Sequence, residues 1–235
     1  MPSNNLHVLE LRLRQVLTRI DEACDKYRRD PAQVCLVAAS KTQAAEVVMA
    51  ARDLGISNFG ENYVNEGVDK VVSIGDRTLN WHFIGRIQSN KTKVIAEHFD
   101  WVHTIDRFKI AQRLSHQCPA GKTLQTLIQV NIDGDPSKAG VKPEDCAVLL
   151  EDMLSLDNLA PRGLMTILAQ DDASNPVASY QSMAELHQRL AEQLPDDYSG
   201  WKCLSMGMSG DLEAAIAAGA THIRIGTDIF GRRQP

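Results

Sequence analysis

Lys41 is the residue of this sequence best placed for covalent chemistry, because it lies at the end of a predicted buried strand. The segment Val34 to Thr42 reads VCLVAASKT, an apolar run bounded by Asp30-Pro31 on one side and by polar Ser-Lys-Thr on the other. This pattern predicts a strand that carries the lysine at its carboxyl end. Partial burial lowers the pKa of an amine, and a neutral amine can attack a carbonyl carbon. The alternative is a lysine whose side chain extends from the strand end into water.

Two segments near the end of the chain suit the binding of a phosphate group. Ser205, Gly207 and Ser209 precede a predicted helix, and Gly226-Thr227 follows the last predicted strand. Hydroxyl groups and glycines at such positions allow an anion to approach backbone N–H groups closely. Alternatively, Ser209 is only a helix N-cap, and the acidic residues that begin the helix would repel a phosphate that they faced.

Arg224 lies between Ile223 and Ile225 in the last predicted strand. This alternation directs its side chain to the face opposite the two isoleucines, where it could meet a ligand or, alternatively, pair with a carboxylate in solvent. A lysine, a phosphate site and an arginine on one rim together favour an aldehyde-bearing phosphate ligand held as a Schiff base.

Helices and strands alternate along the whole chain. An amphipathic helix comes first, with apolar residues at three- and four-residue steps from Leu6 to Ile20. About eight strands alternate with later helices, which predicts a single α/β domain over residues 1–235, a TIM-like (β/α)8 barrel with an additional N-terminal helix in place of the final one. A doubly wound open sheet is the alternative, but that fold typically carries GxGxxG after its first strand. The strands are predicted at 34–42, 56–60, 81–85, 101–104, 124–132, 162–168, 203–206 and 222–226.

Composition argues against a nucleic-acid-binding, disulfide-bonded, metal-binding or membrane protein. The formal net charge is -5 with both signs interspersed, so the sequence offers no basic stripe for nucleic acid. The five cysteines form no CxxC pair and the histidines show no metal-ligand spacing, which argues against a disulfide framework or a metal site. No apolar run reaches the roughly 18 residues of a membrane span, and the N-terminus lacks a signal peptide pattern. We therefore expect a cytoplasmic protein without membrane or nucleic-acid partners.

Six motifs in this order carry a resemblance to a known family. Together they resemble the pyridoxal phosphate homeostasis protein family, the YggS/PROSC type, through nearly the whole chain. The motifs are VAASKT at 37–42, FGENYVNEG at 59–67, WHFIGRIQSNK at 81–91, RGLMTI at 162–167, LSMGMSGDLEAAI at 204–216 and RIGTDIFG at 224–231.

The resemblance implies a barrel similar to the N-terminal domain of alanine racemase, with pyridoxal 5'-phosphate (PLP) as a cofactor bound covalently to Lys41. Its remaining cofactor-binding residues, carried over position by position, are Asn62 beside the cofactor, Met165 near its ring, Ser205, Ser209, Gly226 and Thr227 around its phosphate, and Arg224 against its pyridine nitrogen.

Three positions depart from the pattern that the resemblance implies. Arg86 stands where a proline is common, Gly210 where a second acidic residue is common, and Asp228 where a small residue is common. The carboxylate of Asp228 would weaken phosphate binding unless its side chain turned outward.

The resemblance implies a monomeric PLP-binding protein that regulates the free level of PLP and its supply to PLP-dependent apo-enzymes, without substantial turnover. The alternatives are a PLP-dependent amino-acid racemase and a Schiff-base aldolase acting on a sugar phosphate. A racemase needs an acid/base group on each face of the cofactor. In alanine racemase, which the barrel resembles, a tyrosine of a separate domain serves the second face, whereas here the predicted barrel takes up essentially all 235 residues. Tyr63 is the one tyrosine near a predicted strand end.

Overall fold

Eight parallel strands close into a barrel in which each strand pairs with the next and β8 pairs with β1. The computed structural model describes residues 3–168 and 176–231. This confirms the predicted TIM-like fold. The strands are β1 Cys35–Ala39, β2 Asn58–Glu61, β3 Asn80–Phe83, β4 Trp101–Ile105, β5 Leu124–Gln129, β6 Leu159–Met165, β7 Cys203–Ser205 and β8 His222–Ile225.

Helices follow the strands and cover the outside of the barrel. Gly55 has a φ of 99° just after α2, a left-handed conformation that is common where a helix ends. The segment Asp171 to Pro176, whose sequence DDASNP predicts a turn before the long helix α7, lies up to residue 175 outside the described residues. The helices are α1 Ser3–Lys26, α2 Ala45–Asp53, α3 Val64–Ile74, α4 Thr92–His98, α5 Phe108–Gln117, α6 Cys146–Leu154, α7 Pro176–Ala191, α8 Leu212–Ala217 and α9 Thr227–Phe230.

The first helix occupies the place that the sequence predicted for it, beside the last strand. Leu9, Leu13, Val16 and Ile20 form its buried stripe, at the three- and four-residue steps of an amphipathic helix. The helix packs against α8 and α9. The short α9 was not predicted, because its four residues are too few for a periodic apolar pattern.

The core has two layers because successive strand residues point to opposite faces. Residues that face outward pack under the helices, as where Phe83 meets Phe99 with their ring centroids 5.3 Å apart. Residues that face inward fill the barrel, where His82 stacks on Trp101 at 5.5 Å. Each fully buried large apolar side chain stabilises the fold by about 1.5–3 kcal/mol.

The first strand is shorter than predicted. It ends at Ala39, and Lys41 lies in the following turn instead of within the strand. Thr42 has a φ of 66°, a left-handed conformation that is uncommon for a β-branched residue. The backbone therefore turns sharply just beyond the candidate lysine.

The described helices are each too short or too polar to cross a membrane.

Candidate cofactor site

The residues predicted to bind a cofactor all lie at or just beyond the carboxyl ends of strands. In a parallel barrel these ends meet at one mouth, where barrel enzymes bind their ligands. The pairing of Val37 with Arg224 and of Met165 with Ser205 sets β1, β8, β6 and β7 side by side. The order around this part of the mouth is Met165 at the end of β6, Ser205 at the end of β7, Arg224 in β8, Gly226 and Thr227 just after β8, Lys41 after β1 and Asn62 after β2.

Arg224, near the end of β8, is held by a residue of the adjacent β7 and by the backbone just after β6. Its Nη1 donates a hydrogen bond to the hydroxyl of Ser205 at 2.7 Å, and its Nη2 donates to the carbonyl of Thr166 at 2.8 Å. The residue is almost completely buried, and burial lowers the pKa of its guanidinium. A guanidinium offers five N–H donors and no acceptor, so it presents only donors to a ligand.

A chain of hydrogen bonds leads from Ser205, the partner of Arg224, into the barrel interior. Its Oγ lies 2.9 Å from Nδ1 of His103, whose Nε2 lies 2.9 Å from Nδ1 of His82. The Nε2 of His82 lies 3.1 Å from Oδ1 of Asn58. The chain runs from the mouth toward the opposite end of the barrel.

The chain has one consistent direction of donation. The Oδ1 of Asn58 can only accept, so a neutral His82 donates to it from Nε2 and accepts at Nδ1 from Nε2 of His103. A neutral His103 then accepts at Nδ1 the hydroxyl hydrogen of Ser205, whose oxygen accepts from Arg224. In this chain both histidines carry their proton on Nε2.

Burial keeps the histidines of the barrel interior neutral. It lowers the pKa of His82 and of His103 well below the usual value, and neighbouring histidines add to the shift. His222, inward on β8, has its pKa lowered to about 4 by burial and by the charge of Arg224. Its Nδ1 lies 2.9 Å from the hydroxyl of Thr221.

The backbone before Lys41 is anchored behind β1. Ser40, directly after β1, points outward, to the face opposite Val37. The Ser40 hydroxyl donates to Oε1 of Glu61 at 2.6 Å, and the Ser40 carbonyl accepts from Nζ of Lys70 at 2.6 Å. Lys70 also bonds Oε1 of Glu61 at 2.7 Å.

The backbone after Lys41 is anchored by the same lysine. Glu66 Oε1 accepts from the N–H of Thr42 at 2.5 Å and from Nζ of Lys70 at 2.7 Å. The two carboxylates and the ammonium thus connect both neighbours of Lys41. Burial raises the pKa of Glu61, while its bonds with Lys70 and Ser40 lower it, and the net direction is upward.

The two loops predicted to hold phosphate are tied together by Arg19 of α1. Its Nε lies 2.8 Å from Oε1 of Glu213, its Nη1 lies 2.8 Å from Oδ2 of Asp228, and its Nη2 donates to the carbonyl of Ser209 at 3.0 Å. The carboxylate of Asp228 therefore binds Arg19, which neutralises it. Both carboxylates gain a counter-charge that sequence reasoning did not anticipate.

The remaining carboxylate beside these loops, that of Asp211, is occupied inside the protein as well. Its Oδ1 accepts from the N–H of Met208 at 2.6 Å, and its Oδ2 accepts from the hydroxyl of Tyr180 at 2.8 Å. Burial, followed by the charge of Asp211, raises the pKa of Tyr180. Asp211 thus fixes the loop after β7 through hydrogen bonds within the protein.

The residues at the mouth fit a polar, phosphorylated cofactor. Asn62 Oδ1 and Asn131 Oδ1 are buried without a hydrogen-bond partner among the described residues. An unsatisfied buried oxygen costs about 1–3 kcal/mol, which a ligand that donates a hydrogen bond there would recover. A Cβ at Gly226 would lie 3.1 Å from the carbonyl oxygen of Ala39, so this glycine allows the loop after β8 to approach β1 closely. A Cβ at Gly85 would overlap the carbonyl oxygen of Asn62.

The predicted residues differ in their contacts. Ser205 and Arg224 touch directly, and the Ser205 hydroxyl is already occupied by Arg224 and His103. Ser209 is partly buried and Thr227 is exposed, each on a loop of the mouth. Met165 is completely buried beside Ser205.

Sequence reasoning missed the three interior histidines. They stand at positions 82, 103 and 222, each in a different strand, so spacing along the chain does not reveal the cluster. Their inward alternation within the strands is the signal that could have found them.

Comparison with known proteins agrees with this geometry. Residues 13–234 match the family described as alanine racemase, N-terminal domain. The pyridoxal phosphate homeostasis protein of Pseudomonas aeruginosa is 51% identical over 93% of this chain and 93% of its own length. That of Escherichia coli K12 is 45% identical over 94% of this chain and 95% of its own length.

Solved structures show the same relationship. PipY of Synechococcus elongatus, solved with PLP bound, has a TM-score of 0.78 and 34% identity over 90% of this chain and 100% of its own. The alanine racemase of Clostridium difficile has a TM-score of 0.69 at 12% identity, covers 93% of this chain and 57% of its own, and shares the fold alone. From the identity of 51% across nearly the full length of both proteins, we conclude that this chain belongs to the pyridoxal phosphate homeostasis protein family.

Proposed function

We propose that this protein binds PLP through Lys41 and takes part in PLP homeostasis. The observation that carries the proposal is the position of Lys41, two residues beyond β1, beside the strand that bears Arg224 and between the loops after β8 and β2. The relatives named for PLP homeostasis and the PipY structure with PLP bound support it. In this proposal residues 1–235 act as one cofactor-binding domain.

Each predicted residue has a role in the proposed site. The amine of Lys41 condenses with the aldehyde of PLP, forming a C=N bond and releasing one water molecule. Asn62 meets the polar edge of the cofactor, Met165 packs near its ring, and Arg224 donates to its pyridine nitrogen. The phosphate is held by Ser209, Gly226 and Thr227, while Ser205 supports Arg224 at the pyridine nitrogen.

A donor-only partner at the pyridine nitrogen suits a carrier. Because Arg224 cannot accept a proton, it leaves that nitrogen unprotonated and the ring a poor electron sink. PLP supplies electron-withdrawing chemistry to enzymes when its ring is protonated or otherwise polarised. We therefore propose a carrier or regulator that holds PLP without substantial turnover.

The tyrosines of the chain offer little for a second acid/base group. Tyr180 is buried against Asp211, and the Tyr198 hydroxyl donates to the carbonyl of Pro161 at the outer face of the barrel wall. Tyr27 lies just after α1, whereas Tyr63 is 54% exposed and precedes α3. Tyr63 is thus the candidate for the opposite face that a racemase would require.

We further propose a cytoplasmic, monomeric protein that exchanges PLP with apo-enzymes. The five free cysteines are compatible with a reducing compartment. A cofactor bound at an open mouth can be handed over without unfolding of the barrel.

The direct test is a titration of the purified protein with PLP, followed by borohydride reduction and peptide mass mapping. We expect a visible absorption band and a pyridoxyl group on Lys41. The Lys41→Ala variant should lose the band, while Lys91→Ala, altered at a lysine bonded to Asn65, should keep it. Absence of any band in the native protein would favour the aldolase alternative, and a modified peptide containing Lys91, Lys93 or Lys138 would refute the assignment.

The carrier proposal has its own assay. Single enantiomers of alanine and of other amino acids are incubated with the PLP-loaded protein, and chirality is followed by chromatography. We expect turnover far below the roughly 1 per second of an ordinary enzyme. Sustained racemisation that disappears in both Lys41→Ala and Tyr63→Phe would instead identify a two-base racemase.

A further inference from the structure

We propose that Glu61, Glu66 and Lys70 form a positioning network that fixes the backbone on both sides of Lys41 and so prepares its amine for PLP. This inference deepens the proposed function and rests on it.

The turn that carries Lys41 needs external support. It lies beyond the last paired residue of β1, and Thr42 adopts a left-handed φ of 66°. Such a conformation in a non-glycine residue is strained and persists only where the surroundings enforce it. The turn has one backbone hydrogen bond of its own, from the Gln43 N–H to the Ser40 carbonyl at 3.0 Å, and the hydrogen bond from the Thr42 N–H to Glu66 adds a contact from outside it.

Lys70 links the two anchors of this turn. An ammonium has three donors, and Nζ of Lys70 lies within 2.7 Å of the Ser40 carbonyl, Oε1 of Glu61 and Oε1 of Glu66. All three donors are therefore engaged. Lys70 cannot serve as a second amine for the cofactor, because its Nζ is already directed at these three partners.

The helix that supplies two of these groups is packed unusually close to the barrel. A Cβ at Gly67 would lie 2.7 Å from the ring of Phe99 and 3.0 Å from Cβ of Glu61. Glycine at this position thus lets α3 approach β2 closely enough for Lys70 and Glu66 to reach the turn. This gives a physical reason for Glu61, Glu66 and Gly67 within the motif FGENYVNEG and for the lysine three residues later.

Stability alone does not explain such a network. Glu61 is completely buried and Lys70 is 5% exposed. Buried ion pairs are often no more stabilising than apolar residues of similar shape. A network that instead fixes a reactive side chain has a use that an apolar cluster could not provide, because only polar groups can hold both a backbone carbonyl and a backbone N–H.

The decisive comparison uses Glu66→Ala, Glu66→Gln and Asp69→Ala. Alanine removes the acceptor of the Thr42 N–H, glutamine keeps an acceptor oxygen without the charge, and Asp69 is an exposed carboxylate on the same helix. We expect Glu66→Ala to weaken PLP binding, read from the visible band, by about tenfold or more, since small displacements of a reacting group have effects of this order. Glu66→Gln and Asp69→Ala should stay within about twofold of the native affinity.

Hydrogen exchange of the Thr42 amide supplies a readout that needs no cofactor. We expect this amide to be protected in the native protein and in Glu66→Gln, and to exchange rapidly in Glu66→Ala. Rapid exchange in the native protein, or native PLP affinity in Glu66→Ala, would overturn the proposal, as would an equal loss of affinity in Asp69→Ala. A native protein that shows no visible band but keeps a protected amide would refute PLP binding while leaving the turn-fixing contact established.

Discussion

The two sides of the barrel mouth are held by different kinds of interaction. On the lysine side, behind β1 and β2, an ammonium and two carboxylates fix the turn that carries Lys41. On the arginine side, between β8 and β3, Arg224 rests on a chain of neutral groups that passes through Ser205 and two histidines. Both arrangements place a nitrogen-bearing side chain at the same mouth.

The difference determines which change destabilises each side of the mouth. Buried charges require partners, so the lysine side is sensitive to removal of one member. Neutral histidines in a directed chain each require one tautomer, so the arginine side is sensitive to added protons. The two sides of one site are therefore destabilised by different changes, the charged network by loss of a partner and the neutral chain by protonation.

Among single substitutions, the largest effect is expected on the lysine side, when one member of the ion network is removed. Glu61→Leu leaves a buried ammonium with one carboxylate fewer and should lower the free energy of unfolding by about 3 kcal/mol. Urea denaturation of the cofactor-free protein measures this. The double variant Glu61→Leu with Lys70→Met, which removes both charges, should regain part of the loss. Strictly additive losses would show that the two residues are not coupled.

Lowering the pH should destabilise the arginine side of the mouth. His222 has a pKa of about 4 in the folded protein against about 6.5 when unfolded. Below pH 6.5 the unfolded chain therefore binds more protons than the folded one, and stability falls as the pH drops toward 4. For His222 alone the loss is about 3 kcal/mol, at 1.36 kcal/mol per pKa unit. Burial lowers the pKa values of His82 and His103 too, which adds to the acid loss.

The raised pKa of Glu61 has the opposite effect on the pH dependence of stability. The folded state holds that proton more tightly than the unfolded state, so its contribution to stability increases as the pH falls. Denaturation curves at several pH values between 7 and 4 measure the balance, and His222→Gln should flatten the decline. The exposed His116→Gln on α5 is the matched control. An unchanged decline in His222→Gln would contradict the assignment of acid sensitivity to the barrel interior.

The sequence predicted the barrel and the order of its strands because both depend on local patterns, whereas the predicted ends of β1, β5 and β6 lie three residues beyond the observed ones. Alternating apolar segments and a lysine after the first of them are visible within a few residues. The neutral chain was not predictable in the same way, since His103 meets Ser205 across 102 positions. Lys70 was overlooked because a lysine on a helix is usually solvated, and only the closeness of α3 to β2 reveals that it is buried.

A smaller effect should follow from interrupting the neutral chain at Ser205. The Ser205→Ala variant leaves an N–H of Arg224 and Nδ1 of His103 without this partner, at a cost of about 2 kcal/mol in stability. Arg224 loses one of its two supports, so PLP binding should weaken as well. The matched control is Ser209→Ala, which is expected to change stability by less than about 0.5 kcal/mol because its side chain is only partly buried. Equal stabilities of the two variants would show that the chain contributes nothing to the fold.

The smallest effect is expected from Arg19, which joins the arginine side to the first helix. Arg19→Met removes the counter-charge of Glu213 and Asp228 beside the loops proposed to hold phosphate. Repulsion from these carboxylates should weaken PLP binding by about fivefold, the size of a partly exposed ion pair. Salt screens such repulsion, so the loss should shrink as ionic strength rises. Arg14→Met, which breaks an exposed pair with Glu10, is the control and should bind PLP as the native protein does. If Arg19→Met binds equally well at low salt, the two carboxylates lie too far from the phosphate to matter, and the departure at Asp228 has no consequence for the cofactor.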